Sequence, residues 1–163
     1  MISAILLAAG QSKRMGGDNK LIKKYNKKYL INYIVGTLIK SKVDKIIIVL
    51  GFQSPKVRKI TAKNEKINFI YNKNYKSGIS SSIKVGLKRV SKKNRKEIIA
   101  PTYKGKMGKP IGFKYSMVKI LNKVKKDSGA KKIILRNKKK LGLIKVISKS
   151  IFKDFNTKRD FFN

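Results

Sequence analysis

Cysteine and histidine are both absent from the 163 residues. The chain therefore has no disulfide, no thiolate nucleophile, no zinc finger and no imidazole acid–base chemistry. Acids are scarce as well. Asp and Glu number 7 against 43 Lys and Arg, for a formal net charge of +36. The seven are Asp18, Asp44, Glu65, Glu97, Asp127, Asp154 and Asp160. Any catalysis rests on these, on Lys, Arg, Ser, Thr or Tyr, or on backbone amides. Long apolar runs are missing too. Met1–Ala9 is apolar but too short to span a bilayer. The first cations, Lys13 and Arg14, follow it instead of preceding it, so it does not read as a secretory leader. The expectation is a soluble, cytoplasmic protein without a membrane partner.

What is present is enough for a core. Apolar residues make up 41% and charged residues 31%, and the length suits one domain over 1–163. A charge of +36 points to polyanions: nucleic acid, an anionic membrane surface or phosphorylated small molecules. The lysines are dispersed along the whole chain, which reads as a solvated surface. Tyr and Phe are scattered and form no RNA-reading motif, so nucleic acid is expected to bind only non-specifically.

Short apolar runs alternate with amphipathic ones. Ser3–Ala8, Lys45–Leu50, Ile67–Tyr71, Glu97–Ala100 and Leu143–Ile147 read as strands, the first two buried and parallel. Leu30–Lys40, Ser54 to about Ala62, Ser80–Val90, Tyr115–Lys126 and Thr157–Phe162 read as helices. Ser54 stands as N-cap ahead of Pro55, and Ser80–Ser82 would cap the helix that follows. Lys131–Lys140 is densely basic and reads as exposed. Strands separated by helices predict a Rossmann-like, three-layer α/β/α fold with a mostly parallel sheet. Ligands of such sheets sit beyond the carboxyl ends of the strands, which places the loop Gly10–Lys20 in the site.

That loop, Gly10-Gln-Ser-Lys-Arg-Met-Gly-Gly-Asp-Asn-Lys20, carries the chemistry. Ala8 and Ala9 before it are small and let a ligand approach the backbone. Gly10, Gly16 and Gly17 permit positive φ and exposed amides, which together make an anion nest. Arg14 adds a rigid fork and Lys20 a mobile point charge. These are parts of a triphosphate cradle. The Walker pattern fails because Met15 stands where its second glycine belongs. The dinucleotide fingerprint fails because Ser12 stands where its second glycine belongs.

Leu7-Ala-Ala-Gly-x-Ser-x-Arg-Met-Gly, followed by Lys20-Leu21, resembles the signature of nucleotidyltransferases with a molybdenum-cofactor-type NTP transferase domain. Within that family it is most similar to the molybdenum cofactor cytidylyltransferases. Further stretches match in order. Asn72–Gly86 resembles a second signature. Pro101–Phe113 is similar to a Gly-x-Pro loop on the acceptor side. Asp127-Ser-Gly-Ala130 matches an Asp-x-Gly-Ala turn, and Asp154–Asp160 resembles a terminal Asp-x-Asp-Thr-Pro-x-Asp motif. The resemblance implies transfer of a nucleoside monophosphate, CMP from CTP, to a phosphorylated acceptor of the molybdopterin type, with Mg²⁺. It implies that Leu7, Ala8, Ala9 and Gly10 face the nucleotide, that Arg14 and Lys20 hold phosphates and stabilise the leaving pyrophosphate, and that Gly78 and Ser82 contact the base.

Two departures matter. The family carries a strand ending in an Asp-x-Pro motif, whose Asp is a principal Mg²⁺ ligand, between the Ser-rich helix and the Pro-Thr-Tyr segment. Here only Ser91–Lys96 separates Val90 from Glu97, and no Asp occurs between Asp44 and Asp127. A segment is therefore expected to be lost between Val90 and Glu97. The nearby stretch Glu97–Thr102 would close the sheet if it paired with Ser3–Ala8. In the terminal motif the second acid is Asn156, which leaves Asp154 and Asn156 as a weak metal pair. A second reading follows from this loss: a catalytically dead, strongly basic binding protein for nucleotides or nucleic acid.

Overall fold

The computed structural model describes residues 2–89, 98–124, 130–153 and 160. In chain order the elements are β1 (Ser3–Ala8), β2 (Lys24–Tyr25), β3 (Lys28–Tyr29), α1 (Leu30–Lys40), β4 (Lys45–Leu50), α2 (Ser54–Ile60) and β5 (Ile67–Tyr71). They continue with α3 (Ile79–Leu87), β6 (Ile98–Tyr103), β7 (Lys106–Met107), β8 (Gly112–Phe113), α4 (Val118–Leu121), α5 (Lys131–Arg136) and β9 (Leu141–Lys145). Short 3-10 turns lie between them.

β1, β4 and β5 form a parallel sheet in that order. Ala8 stands opposite Leu50, and Leu50 opposite Tyr71, so the three strands end together on one edge. The central strand β4 is buried from Ile46 to Leu50, as a parallel strand covered on both faces must be. On one face Ala8, Ile46, Ile48 and Leu50 pack with Ile31 and Val35 of α1 and Val57 of α2. On the other face α3 lies very close to the sheet. A Cβ on Gly86 would stand 2.5 Å from Ile5 Cγ2 and 3.2 Å from Val49 Cγ2. The fold is therefore a three-layer, Rossmann-like α/β arrangement with a parallel sheet.

β6 belongs to a second, mixed sheet in the order β7-β6-β8, with β9 parallel to β6. Its core gathers Leu87, Ile98, Met117, Leu121, Val124 and Ile133, and Ile5 of β1 packs against it. Among the described residues β1 is paired on one side only, with β4. Ile98–Ala100 thus does not close the first sheet beside Ser3–Ala8. It pairs with Leu141–Leu143 on one side and, through Ile98 and Ile99, with β8 on the other. The stretch between Val90 and Glu97, where a lost segment is expected, lies outside the described residues, as does Glu97 itself.

Several local expectations need correction. β6 runs through Pro101 to Tyr103, past the expected end of the strand at Ala100. The carbonyl of Pro101 accepts from Gly108 N–H at 2.9 Å, on the side where β8 pairs with residues 98–99 and β7 with residues 102–103. The missing proline donor therefore falls between the residues paired with β8 and those paired with β7. Ser54 is not a cap. Gln53, at φ 53°, holds the cap position without a side-chain bond, and Ser54 is the first helical residue. Ser80–Ser82 likewise lie inside α3, whose N-cap is Gly78 at φ 104°. The helix expected over Tyr115–Lys126 is a 3-10 turn, Tyr115–Met117, leading into a short α4 that ends at Leu121. β9 starts two residues before the expected Leu143. Lys131–Lys140 has exposed lysines, but Ile133 and Ile134 within it are buried. The terminal helix expected over Thr157–Phe162 lies almost wholly outside the described residues.

Candidate nucleotide site

The loop after β1 leaves the sheet at its carboxyl edge. Ala8 and Ala9 are buried, Leu7 is half-buried and Gly10 is exposed. Gly10 does not use the left-handed conformation open to it. That role falls to Ser12, at φ 51°, with Gly16 at φ 71° and Gly17 at φ 88°. The Ser12 carbonyl accepts from Met15 N–H at 2.7 Å and the Lys13 carbonyl from Gly16 N–H at 3.2 Å, winding Lys13–Met15 into a 3-10 turn. The loop then closes on itself: Lys20 N–H donates to Ser12 Oγ at 3.1 Å. Met15, 2% exposed, pins the turn to the core. Arg14 is left on the exposed side of this ring, and Lys20 is half-buried at its closure. A Lys23–Asp18 ion pair of 2.6 Å lies just beyond. The result is a short backbone ring with left-handed corners, two cations and exposed glycines, which is the chemistry of an anion cradle.

Two residues that sequence reasoning missed hold this ring to the sheet. Asn19 is wholly buried. Its Oδ1 accepts from Leu21 N–H at 3.1 Å, and its Nδ2 donates to the Phe52 carbonyl at 3.1 Å. Gly51, directly after β4, is the point where three chain segments meet. A Cβ there would stand 2.7 Å from Tyr75 Cβ and 2.8 Å from both Ala9 Cβ and Ala9 O. Phe52 N–H also donates to the Ala9 carbonyl at 3.2 Å. The available signals were slight: an Asn after two glycines, and a Gly just past a buried β-branched strand.

The second signature stretch leaves β5 on the same edge. Asn72, 2% exposed, donates from Nδ2 to Ser81 Oγ at 2.8 Å and Ser82 Oγ at 3.0 Å, and its Oδ1 accepts from Asn74 N–H at 3.0 Å. Ser81 Oγ lies 2.9 Å from the Asn74 carbonyl and 2.8 Å from that of Gly78. Ser82 is 4% exposed. Through the Ala9–Gly51–Tyr75 contact, the structure brings the segment carrying Leu7, Ala8, Ala9, Gly10, Arg14 and Lys20 beside the segment carrying Gly78 and Ser82.

The metal side is less complete. Asp154 and Asn156 lie outside the described residues. Among the described residues no three acids gather. Lys153, just before Asp154, rests over the Tyr25 ring at 4.6 Å, with Nζ 3.3 Å from the Tyr25 hydroxyl. Lys153 therefore approaches the β2–β3 hairpin that follows Lys20. Thr102, at the carboxyl end of β6, has a buried hydroxyl without a hydrogen-bond partner. Among the described residues no helix is long and apolar enough to cross a membrane.

The model of the MobA-like NTP transferase domain matches residues 4–95. The chain belongs to that family. The matched range holds the whole parallel sheet, the ring after β1 and the Asn72–Ser82 segment. Among relatives of this MobA-like chain, an adenosylcobinamide-phosphate guanylyltransferase of Methanocaldococcus jannaschii is 38% identical over 76 residues. That stretch is 47% of this chain and 35% of the relative, so the chain spans about a third of the length of that protein. The Rv0371c protein of Mycobacterium tuberculosis superposes with a TM-score of 0.83 at 19% identity, covering 99% of this chain and 96% of the other. It has also been solved with manganese, at TM-score 0.79, 18% identity and the same two coverages. A nucleotidyl transferase from Methanothermobacter gives 0.83 at 16% identity, covering 99% and 94%. At these identities the superpositions show a shared fold.

Proposed function

We propose that this MobA-like chain binds a nucleoside triphosphate at the carboxyl edge of β1, β4 and β5, as the nucleotide half of a nucleotidyl transfer. The observation that carries this reading is the closed ring Ser12–Lys20, with its left-handed corners at Ser12, Gly16 and Gly17. Ala8, Ala9 and Gly10 form the floor on which the ribose and α-phosphate approach the backbone. Arg14 and Lys20 hold the β- and γ-phosphates and stabilise charge on pyrophosphate as it leaves. Gly78 and Ser82 contact the base, and Leu7 belongs to the nucleotide-binding set. The transferred group is CMP from CTP, and the acceptor is a phosphorylated small molecule such as a molybdopterin-type cofactor, whose terminal phosphate oxygen attacks the α-phosphorus. Positioning and charge neutralisation dominate such chemistry, so a chain without His or Cys is equipped for it.

Mg²⁺ is the cation of this reading, and Asp154 and Asn156 are its proposed ligands. Two such groups make a poor site compared with paired carboxylates, so transfer is slow where binding is retained. A coupled assay for pyrophosphate, with Mg²⁺, the molybdopterin cofactor and either CTP or GTP, tests this. Slow, acceptor-dependent release with CTP supports it. Release with GTP alone overturns the assignment of the base. Binding of triphosphate without any release overturns the transfer reaction and leaves a basic nucleotide-binding protein.

A further inference from the structure

We infer that Asn72 is the positioning residue for the base-recognition side of this site, an inference that rests on the nucleotide reading above. A carboxamide has two N–H donors and one oxygen acceptor. The described contacts use all three functions. The Nδ2 group serves Ser81 Oγ and Ser82 Oγ, and Oδ1 receives Asn74 N–H. The backbone of Asn72 is anchored too, its N–H donating to the Leu50 carbonyl at 2.8 Å. A residue fixed to the end of β4 thus fixes two consecutive serines in the first turn of α3.

The geometry orders the serines in a specific sense. Ser81 accepts from Asn72 and donates its own proton to the Asn74 or Gly78 carbonyl, which ties the loop to the helix start. Ser82 also accepts from Asn72, so its O–H points away from that amide. Asn72 therefore sets which way the Ser82 hydroxyl presents its proton. It also holds the turn around Gly78, whose φ of 104° makes this entry to α3 accessible to glycine. Only the donor side of the amide reaches the serines. The acceptor side shapes the turn at Asn74.

The two sides separate by substitution. Asn72→Asp keeps an oxygen for Asn74 N–H and loses both donors to the serines. Asn72→Ala loses everything. Ser81→Ala combined with Ser82→Ala removes the two acceptors and leaves Asn72 in place. The probes are CTP, GTP and inorganic tripolyphosphate, the last of which engages the Ser12–Lys20 ring and has no base. Affinities are measured by calorimetry at a temperature where melting curves show each variant folded.

The expected result is a loss of about tenfold in nucleoside triphosphate affinity for Asn72→Asp and for the double serine variant, the scale of one to two lost hydrogen bonds. Tripolyphosphate affinity stays at the wild-type level in both. Combining Asn72→Asp with the serine changes adds no further loss. Unchanged nucleotide affinity in these variants overturns the inference, and so does an equal fall for nucleotide and tripolyphosphate, which is the mark of general damage. If Asn72→Asp does not fold, Asn72→Ala decides by the same comparison: a fall for nucleotide with tripolyphosphate unchanged supports the inference, and unchanged nucleotide affinity overturns it. Wild-type protein that binds neither CTP, GTP nor tripolyphosphate overturns the underlying nucleotide reading instead.

Discussion

The Asn19 amide donates to the Phe52 carbonyl at 3.1 Å, joining the ring after β1 to the loop after β4. The same side chain receives Leu21 N–H and is wholly buried. One residue thus locks the Ser12–Lys20 ring against the sheet edge that gives it direction. Asn19→Ala should lower stability by about 1–3 kcal/mol, because it removes two bonds and leaves buried polar groups unpaired. Asn19→Asp, which keeps the acceptor for Leu21 N–H but buries a carboxylate oxygen against the Phe52 carbonyl, should cost at least as much. Denaturant unfolding of the three proteins measures this, and an Asn19→Ala midpoint equal to wild type would contradict it.

Gly51 and Gly10 form a matched pair for testing the packing of the site. A Cβ at Gly51 meets Tyr75 and Ala9 below 3 Å, whereas a Cβ at Gly10 meets nothing within 4 Å. Gly51→Ala should therefore cost about 1–3 kcal/mol through overpacking. Gly10→Ala should stay within about 0.5 kcal/mol of wild type, the range of an unconstrained surface change. Thermal melts of both variants decide. Equal melting temperatures would mean that the three loops do not converge at Gly51.

Binding to nucleic acid should be weak in sequence preference and strong in salt dependence. Dispersed lysines neutralise phosphates wherever they meet them, and each contact releases counterions. Titrating double-stranded DNA of two unrelated sequences at low and physiological salt should give matching affinities that fall steeply together. Sequence-selective binding that survives high salt would promote the nucleic-acid reading over the nucleotide one.

The sequence made the first half of the fold legible because its signals were local. β1, α1, β4 and β5 have the expected bounds, since buried β-branched runs and an amphipathic helix each carry their own period. The hairpins were missed because their turns lack the usual Asn-Gly pair. Asn26 and Lys27 both have positive φ between β2 and β3, as do Lys104 and Gly105 between β6 and β7, and these are the left-handed corners that a two-residue turn needs. Nothing about Lys at a left-handed corner announces it in advance. The partners of β6 were illegible for a different reason. Which edge a strand pairs with depends on distant segments, and Leu141–Lys145 competes with Ser3–Ala8 for the same partner.

The site divided along similar lines. Arg14, Lys20 and the glycines could be proposed from residue types alone, because a phosphate cradle needs cations and exposed amides. Asn19 and Asn72 could not, because their role is fixed by what they touch. A buried carboxamide looks like any loop Asn until the Phe52 carbonyl or the Ser82 hydroxyl stands beside it.

The central claim is that the Ser12–Lys20 ring holds a nucleoside triphosphate, and calorimetric titration of CTP with Mg²⁺ into wild type and Arg14→Ala tests it most directly. The account predicts saturable binding to wild type and a loss of about 1.5–3 kcal/mol in the variant, the scale of a hydrogen bond to a charged group. Equal affinities, or no binding to wild type by either CTP or GTP, would contradict it.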